Sequence, residues 1–165
     1  MGRRTPGGKK PTVYIETTIP SYLTARPSSD LDNYYRQAKT QEWWTKVLPK
    51  VEPVISEYVI REASKGDVEA ARKRLQAIKE FTVLEETKEL VRLAKRFEKE
   101  LSIPIKAQTD ALHLACAVIY RVDYVLSWNF EHIVGAPVKR TFTEIGQELG
   151  LVMPTLCTPE ELMEI

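Results

Sequence analysis

Four polar residues stand where apolar segments of this sequence stop, and three of them are carboxylates. Glu16 follows the β-prone run Thr12-Val13-Tyr14-Ile15, and Glu62 lies on the helix that a second strand leads into. Asp110 interrupts an apolar helix face made by Ala107, Ala111 and Leu114, and Asn129 follows the strongest strand candidate, Asp123 to Trp128. A carboxylate among apolar neighbours is costly unless a cation or hydrogen bonds compensate it. If the strand ends converge, Glu16, Glu62 and Asp110 meet in one acidic pocket with Asn129 at its rim. Clustered carboxylates repel, and one must hold a proton unless a cation sits among them. Oxygen-only ligands suit a hard ion, Mg²⁺ or Mn²⁺, which favours substrates that bring phosphate oxygens. Such an ion positions a water, favours its deprotonation and stabilises charge developing on a phosphodiester. The expected chemistry is phosphoryl transfer or hydrolysis, and the residues alone leave the substrate open.

Short apolar strands alternating with helices are needed to carry these groups. A strand is expected over Thr12–Ile15 and a short helix opens around Ile19. Asp30 is placed to cap a helix reaching about Lys46, with Tyr34, Ala38 and Trp43 among its apolar positions. Val51 to Ile55 reads as a second strand, with Ser56 capping a helix that ends near Gly66 and Asp67 capping the next. Phe81 to Leu84 reads as a third strand, Thr87 to Leu101 as an amphipathic helix, and Lys106 to Tyr120 as the most apolar helix. A last strand is expected near Leu151 to Met153 and a C-terminal helix from Pro159. The pattern predicts an α/β fold, a central mainly parallel sheet of four to five short strands flanked by helices. Sites in such sheets gather outside the carboxyl ends of the strands.

The 165 residues predict one domain over 12–165, preceded by a flexible basic tail over 1–11 that carries Arg3, Arg4, Lys9 and Lys10. The net charge of +1 announces no polyanion partner for the whole chain. No apolar run reaches a membrane span and no signal-peptide core is present, so a cytoplasmic protein without a membrane partner is expected. Cys116 and Cys157 are too few for a disulfide framework, and Cys116 reads as a buried small hydrophobe.

The segment Val13-Tyr14-Ile15-Glu16-Thr17-Thr18 resembles the opening strand motif of PIN-domain nucleases. Ile55-Ser56-Glu57-Tyr58-Val59-Ile60-Arg61-Glu62 is similar to the family's second motif, with its acid at Glu62. Thr109-Asp110-Ala111-Leu112-His113-Leu114-Ala115 resembles its third, and Leu126-Ser127-Trp128-Asn129-Phe130-Glu131-His132 its fourth. Order and spacing agree from about Thr12 to Ile133. The resemblance implies a PIN fold and a divalent-metal-dependent endoribonuclease of the VapC toxin type, with RNA as substrate and a cognate antitoxin protein as partner. It implies Glu16, Glu62 and Asp110 as ligands of Mg²⁺ or Mn²⁺, Asn129 as the fourth site residue, and products with 5′-phosphate and 3′-hydroxyl ends. Two positions depart from the pattern: Glu16 is one methylene longer than the usual Asp, and Asn129 brings no charge where Asp is frequent. About three charges in place of four favour weaker metal binding or one ion over two. These departures motivate an alternative, a PIN-like module that binds nucleic acid or protein without catalysis.

Each residue also has a plainer role. Glu57 competes with Glu62 for the pocket, and being five apart on one helix only one of them enters it. Asp110 could be a helix N-terminal carboxylate favoured by the dipole. His113, three residues on, could bond Asp110, contact a phosphate or be a satisfied core histidine; His132 is the weaker candidate. Thr17 and Ser127 could hold a water or a phosphate, and Trp128 and Phe130 read as core or rim packing. Trp43-Trp44 and Tyr34-Tyr35 on one helix offer more aromatic surface than the core requires, which predicts a homodimer.

Overall fold

The computed structural model describes residues 8–165. Residues 1–7 of the basic opening lie outside the described residues; of its remainder, Lys9 and Lys10 are exposed, and Lys10 Nζ donates to the Pro49 carbonyl at 3.0 Å.

Five short strands, β1 (Thr12–Ile15), β2 (Glu52–Ser56), β3 (Thr82–Leu84), β4 (Tyr124–Leu126) and β5 (Thr155–Cys157), form a fully parallel sheet in the order β3-β2-β1-β4-β5. Parallel neighbours require crossovers, and helices supply them all. α1 (Thr18–Thr24) and α2 (Leu31–Lys46) join β1 to β2, and α3 (Glu57–Ala63) and α4 (Val68–Ile78) join β2 to β3. α5 (Lys88–Glu100) and α6 (Gln108–Ile119) join β3 to β4, and α7 (Ala136–Leu149) joins β4 to β5. The sequence signals that start these helices are used as expected: the side chains of Asp30, Asp67 and Thr87 accept from the backbone N–H three residues on, which satisfies a donor the first turn would leave open.

The central strand β1 is sealed on both faces. Val13, Tyr14 and Ile15 have no exposed surface, as a strand covered by helices on each side requires. The order turns back at β1: the chain moves outward through β2 and β3, then returns to lay β4 on β1's other edge. The crevice at the carboxyl ends of β1 and β4 is therefore the switch point of the sheet, where sites of doubly wound folds form.

Three expectations are corrected. The last strand is Thr155–Cys157 and not Leu151 to Met153; Val152 in that more apolar run is 76% exposed, while Thr155, Leu156 and Cys157 pair in register with β4. No helix begins at Pro159; Thr158 and Glu161 cap one another's backbone N–H across a single turn. α7 was not expected at all. The homodimer surface also shrinks, because Trp43 is wholly buried with Nε1 donating to the Leu162 carbonyl and Trp44 packs on Phe81. Tyr34 and Tyr35 alone of the four aromatics stay exposed.

Candidate active site

Three strand ends deliver the expected residues to the switch point. β1 ends at Ile15 and hands Glu16 to the crevice, where the Glu16 backbone N–H donates to the Leu126 carbonyl of β4. β2 runs straight into α3, whose second turn carries Glu62, and β4 runs into Ser127 and Asn129. Asp110 comes from the start of α6. That helix begins at Gln108 and not at Lys106, so Asp110 lies in its first turn and gains from the helix dipole there. Glu57 is exposed and accepts the Glu86 N–H, leaving Glu62 as the α3 acid at this end of the sheet.

Each carboxylate is held by one oxygen. Glu16, 3% exposed, accepts at Oε2 from the Thr18 N–H (3.0 Å), the Thr18 hydroxyl (2.5 Å) and the Ser127 hydroxyl (2.8 Å). Glu62 accepts at Oε1 from the Thr17 hydroxyl (2.7 Å) and from His113 Nε2 (2.6 Å). Asp110 Oδ2 pairs with His132 Nδ1 at 2.7 Å. No hydrogen bond among the described residues engages Glu16 Oε1, Glu62 Oε2 or Asp110 Oδ1. Since no buried side-chain N or O among the described residues lacks a partner, these free oxygens are the ones that reach solvent.

The carboxylates are not equally close. Ligand-capable atoms of Glu16, Glu62 and His113 lie within 4.8 Å of one another, and Asp110 stands outside that group. His113 itself is fully buried and bonds Glu62 and the Tyr14 hydroxyl (2.6 Å), so it makes neither the bond to Asp110 nor the phosphate contact considered for it. The histidine on Asp110 is His132, the less favoured candidate. A carboxylate only accepts, so Nε2 of His113 must carry a proton and is closed to a metal in this arrangement. Beyond it, Nδ1, the Tyr14 hydroxyl and the Ser56 hydroxyl form a buried chain of 2.6 Å contacts. Ser56 is thereby drawn away from capping α3.

Charge is distributed unevenly. Burial raises the pKa of Glu16, against the opposing effects of His113's charge and the Thr18 and Ser127 hydrogen bonds. Burial also acts on Glu62, but the His113 hydrogen bond and charge, with Thr17 and Lys65, overcome it and hold Glu62 below the ordinary value. His113 is penalised by burial, yet its bond to Glu62 and the charges of Glu62, Glu16 and Asp110 raise its pKa. Burial first, then neighbouring charges, keeps Tyr14 firmly protonated.

Asn129 Oδ1 accepts the His132 N–H (3.0 Å) while the Asn129 N–H donates to Ser127 Oγ (2.9 Å). Its side-chain oxygen thus helps shape the loop that presents His132. Tyr14, Ser56 and Thr18 were missed as site residues. Only Thr18, a hydroxyl two residues after an acid, carried a local signal, since such side chains close tight turns; Tyr14 reads as an ordinary strand aromatic.

Glu16 and Glu62, each with one oxygen anchored and one free, fit a hard divalent cation, with hydroxyl and imidazole donors behind them; Asp110, outside their group, carries a third carboxylate anchored in the same way. No family model and no curated protein sequence matches the chain. Solved structures do. VapBC-1 from nontypeable Haemophilus influenzae matches with a TM-score of 0.56 at 13% identity, over 90% of this chain and 98% of that one. VapC20 of Mycobacterium tuberculosis, a Sarcin-Ricin loop cleaving toxin, matches with a TM-score of 0.55 at 15% identity, over 72% and 91%. VapBC2 from Rickettsia felis, bound to a DNA fragment from their promoter, gives 0.51 at 13% identity, over 89% and 98%. The chain therefore has the α/β PIN-like fold of VapC structures.

Proposed function

We propose that this protein is a divalent-metal-dependent endoribonuclease, the toxin of a toxin–antitoxin pair. The observation that carries this reading is the close approach of Glu16 and Glu62 at the switch point, each fixed through one oxygen with the other left free, and Asp110 is fixed likewise at the start of α6. Mg²⁺ or Mn²⁺ would be held by Glu16, Glu62 and Asp110, and when bound would supply charge for an attacking water and a phosphodiester in the transition state. The chain's own residues prepare that site. Thr18 and Ser127 fix the Glu16 carboxylate, Thr17 and His113 fix Glu62, and His132 fixes Asp110. Asn129 sets the backbone position of His132 through its amide oxygen, beside the fourth-site role its sequence position suggested. The VapC20 neighbour, a Sarcin-Ricin loop cleaving toxin, supports the substrate class, and the two VapBC neighbours support a protein partner.

Purified protein with single-stranded RNA and Mn²⁺ is expected to yield 5′-phosphate and 3′-hydroxyl fragments. Asp110→Asn and Glu62→Gln should each lower the rate at least about a hundredfold, the scale of losing a charge that stabilises the transition state. Equal cleavage by wild type and both variants would defeat the assignment.

One observation favours a non-catalytic binding module instead. His113, when protonated, lies within 4.8 Å of Glu16 and Glu62 atoms and gives them an internal counter-charge, so the pair can stand together without an ion. Calorimetry separates the two readings: Mn²⁺ binding that is lost in Glu16→Gln supports the nuclease, and no binding at millimolar Mn²⁺ supports the module.

A further inference from the structure

A second cluster lies on the rim of this crevice, and it is aromatic and cationic. Arg36 of α2 sits among three rings, its Cζ 6.0 Å from the Tyr22 centroid, 5.8 Å from Trp128 and 5.2 Å from Phe130. The only hydrogen bond of its guanidinium among the described residues goes to the Tyr22 hydroxyl, and it forms no ion pair there. Most of its donors are left to solvent or a ligand. Trp128 is buried, with Nε1 on the Thr40 hydroxyl, and braces the cluster from below. Phe130 is different: the ring tilts 46° against Trp128 and remains 47% exposed, an aromatic surface the core does not use. Its neighbour Glu131 points to His132. A cavity of about 410 Å³, lined by Ser21, Tyr22, Arg26, Asn33 and Gln37, continues past Tyr22.

Connectivity ties this shelf to the acids. The Trp128 N–H donates to the Thr18 hydroxyl, which donates to Glu16. Phe130 directly follows Asn129, whose amide oxygen positions His132 against Asp110. Phe130 and Arg36 therefore stand beside the segment that links both acids. An exposed ring beside an unpaired guanidinium matches one kind of occupant, an unpaired nucleobase with its phosphate, since every base offers a stacking face and every nucleotide a negative charge.

We infer that Tyr22, Arg36 and Phe130 form a nucleotide subsite, with the base stacked on Phe130 and the phosphate on Arg36, so that the enzyme selects single-stranded over paired RNA. This rests on the ribonuclease reading above. Trp128 and Tyr22 flank the guanidinium, and Phe130 supplies the contact.

Anisotropy of a labelled twelve-nucleotide single-stranded RNA in EDTA tests it without cleavage. Phe130→Ala should weaken binding about tenfold, Phe130→Trp should bind like wild type, and an oligomer of abasic nucleotides should bind both Phe130→Ala and wild type equally. Arg36→Ala should weaken binding and lower the slope of log affinity against log salt by about 0.7. A fully paired duplex should show no dependence on Phe130. Phe130→Ala and Arg36→Ala binding within twofold of wild type would overturn the subsite, as would a wild type that binds no RNA. Cleavage with Mn²⁺ is scored separately: shelf-dependent binding without cleavage removes the catalytic reading alone, and cleavage indifferent to both variants removes the subsite alone.

Discussion

Glu16 sits in the core with one oxygen triply hydrogen-bonded, and burial still wins by raising its pKa. A carboxylic acid whose folded pKa is raised stabilises the fold below its unfolded pKa and loses that contribution as pH rises through the folded value. Charging it inside the fold is a cost, so Glu16→Gln, which keeps an acceptor for Thr18 and Ser127, is expected to raise the thermal midpoint by a few degrees while abolishing Mn²⁺ binding; calorimetric scans with and without Mn²⁺ read both. Glu62 and His113 behave oppositely. The lowered pKa of Glu62 gives stability present above its unfolded value of about 4.3 and lost as pH falls through the folded one. The raised pKa of His113 gives stability present below about 6.5 and lost as pH rises through the folded value. Their windows overlap between about pH 4.3 and 6.5. Urea unfolding should therefore show Glu62→Gln most destabilised relative to wild type in that range, with a difference that shrinks as pH rises through the folded His113 value. A difference that stays constant with pH would mean that the pair is not charged in the fold.

At the level of elements, the loop from Ser127 to Gly135 carries more of the site than its length suggests. Gly135 lies where α7 begins, and a Cβ there would stand 2.1 Å from the Phe130 carbonyl oxygen, a backbone atom that cannot swing away. Gly135→Ala must displace the 129–134 segment, so it should cost about 1–3 kcal/mol in urea unfolding and reduce cleavage along with it. Gly146→Ala meets only the flexible Met153 side chain and should be milder. The same region shows where the sequence was legible and where it was not. β1, α2 and α4 were readable because strand propensity and capping side chains at Asp30 and Asp67 act locally, and Glu16 and Glu62 fall in the crevice because strand ends converge there. α7 lay outside the expected elements although Val138, Phe142, Ile145 and Leu149 follow a helical stripe; its Pro137 is tolerated in the first turn, where its missing N–H has no partner to lose. β5 was misplaced because Leu151-Val152-Met153 is more apolar than Thr155-Leu156-Cys157, and pairing with β4, a long-range choice, decided the matter. His132 on Asp110 and the Tyr14–Ser56–His113 chain depend on contacts between distant elements, which spacing along one sequence does not encode.

For the whole molecule, the fold places its acids at the point where the sheet turns back, and places there a group, Glu16, whose burial opposes its charged form. Among the described residues no helix is long and apolar enough to cross a membrane, and the burial that holds the molecule together is the helix-covered sheet. Tyr34 and Tyr35, with Leu31, leave one apolar edge of α2 exposed, and light scattering at micromolar concentration should report a dimer if that edge is used. Metal binding acts on the same balance from the other side. A cation that engages the free oxygens of Glu16, Glu62 and Asp110 in the folded chain, and finds no such arrangement in the unfolded one, stabilises by about 2.7 kcal/mol at a hundred times its dissociation constant. For a chain of 165 residues, each kcal/mol moves the midpoint by about 2–4 °C, so saturating Mn²⁺ should raise it by about 5–10 °C. EDTA should reverse the rise, and Glu16→Gln should start higher than wild type yet gain nothing from Mn²⁺. If instead wild type and Glu16→Gln gain equally, the ion binds elsewhere on the surface, and the crevice is no metal site.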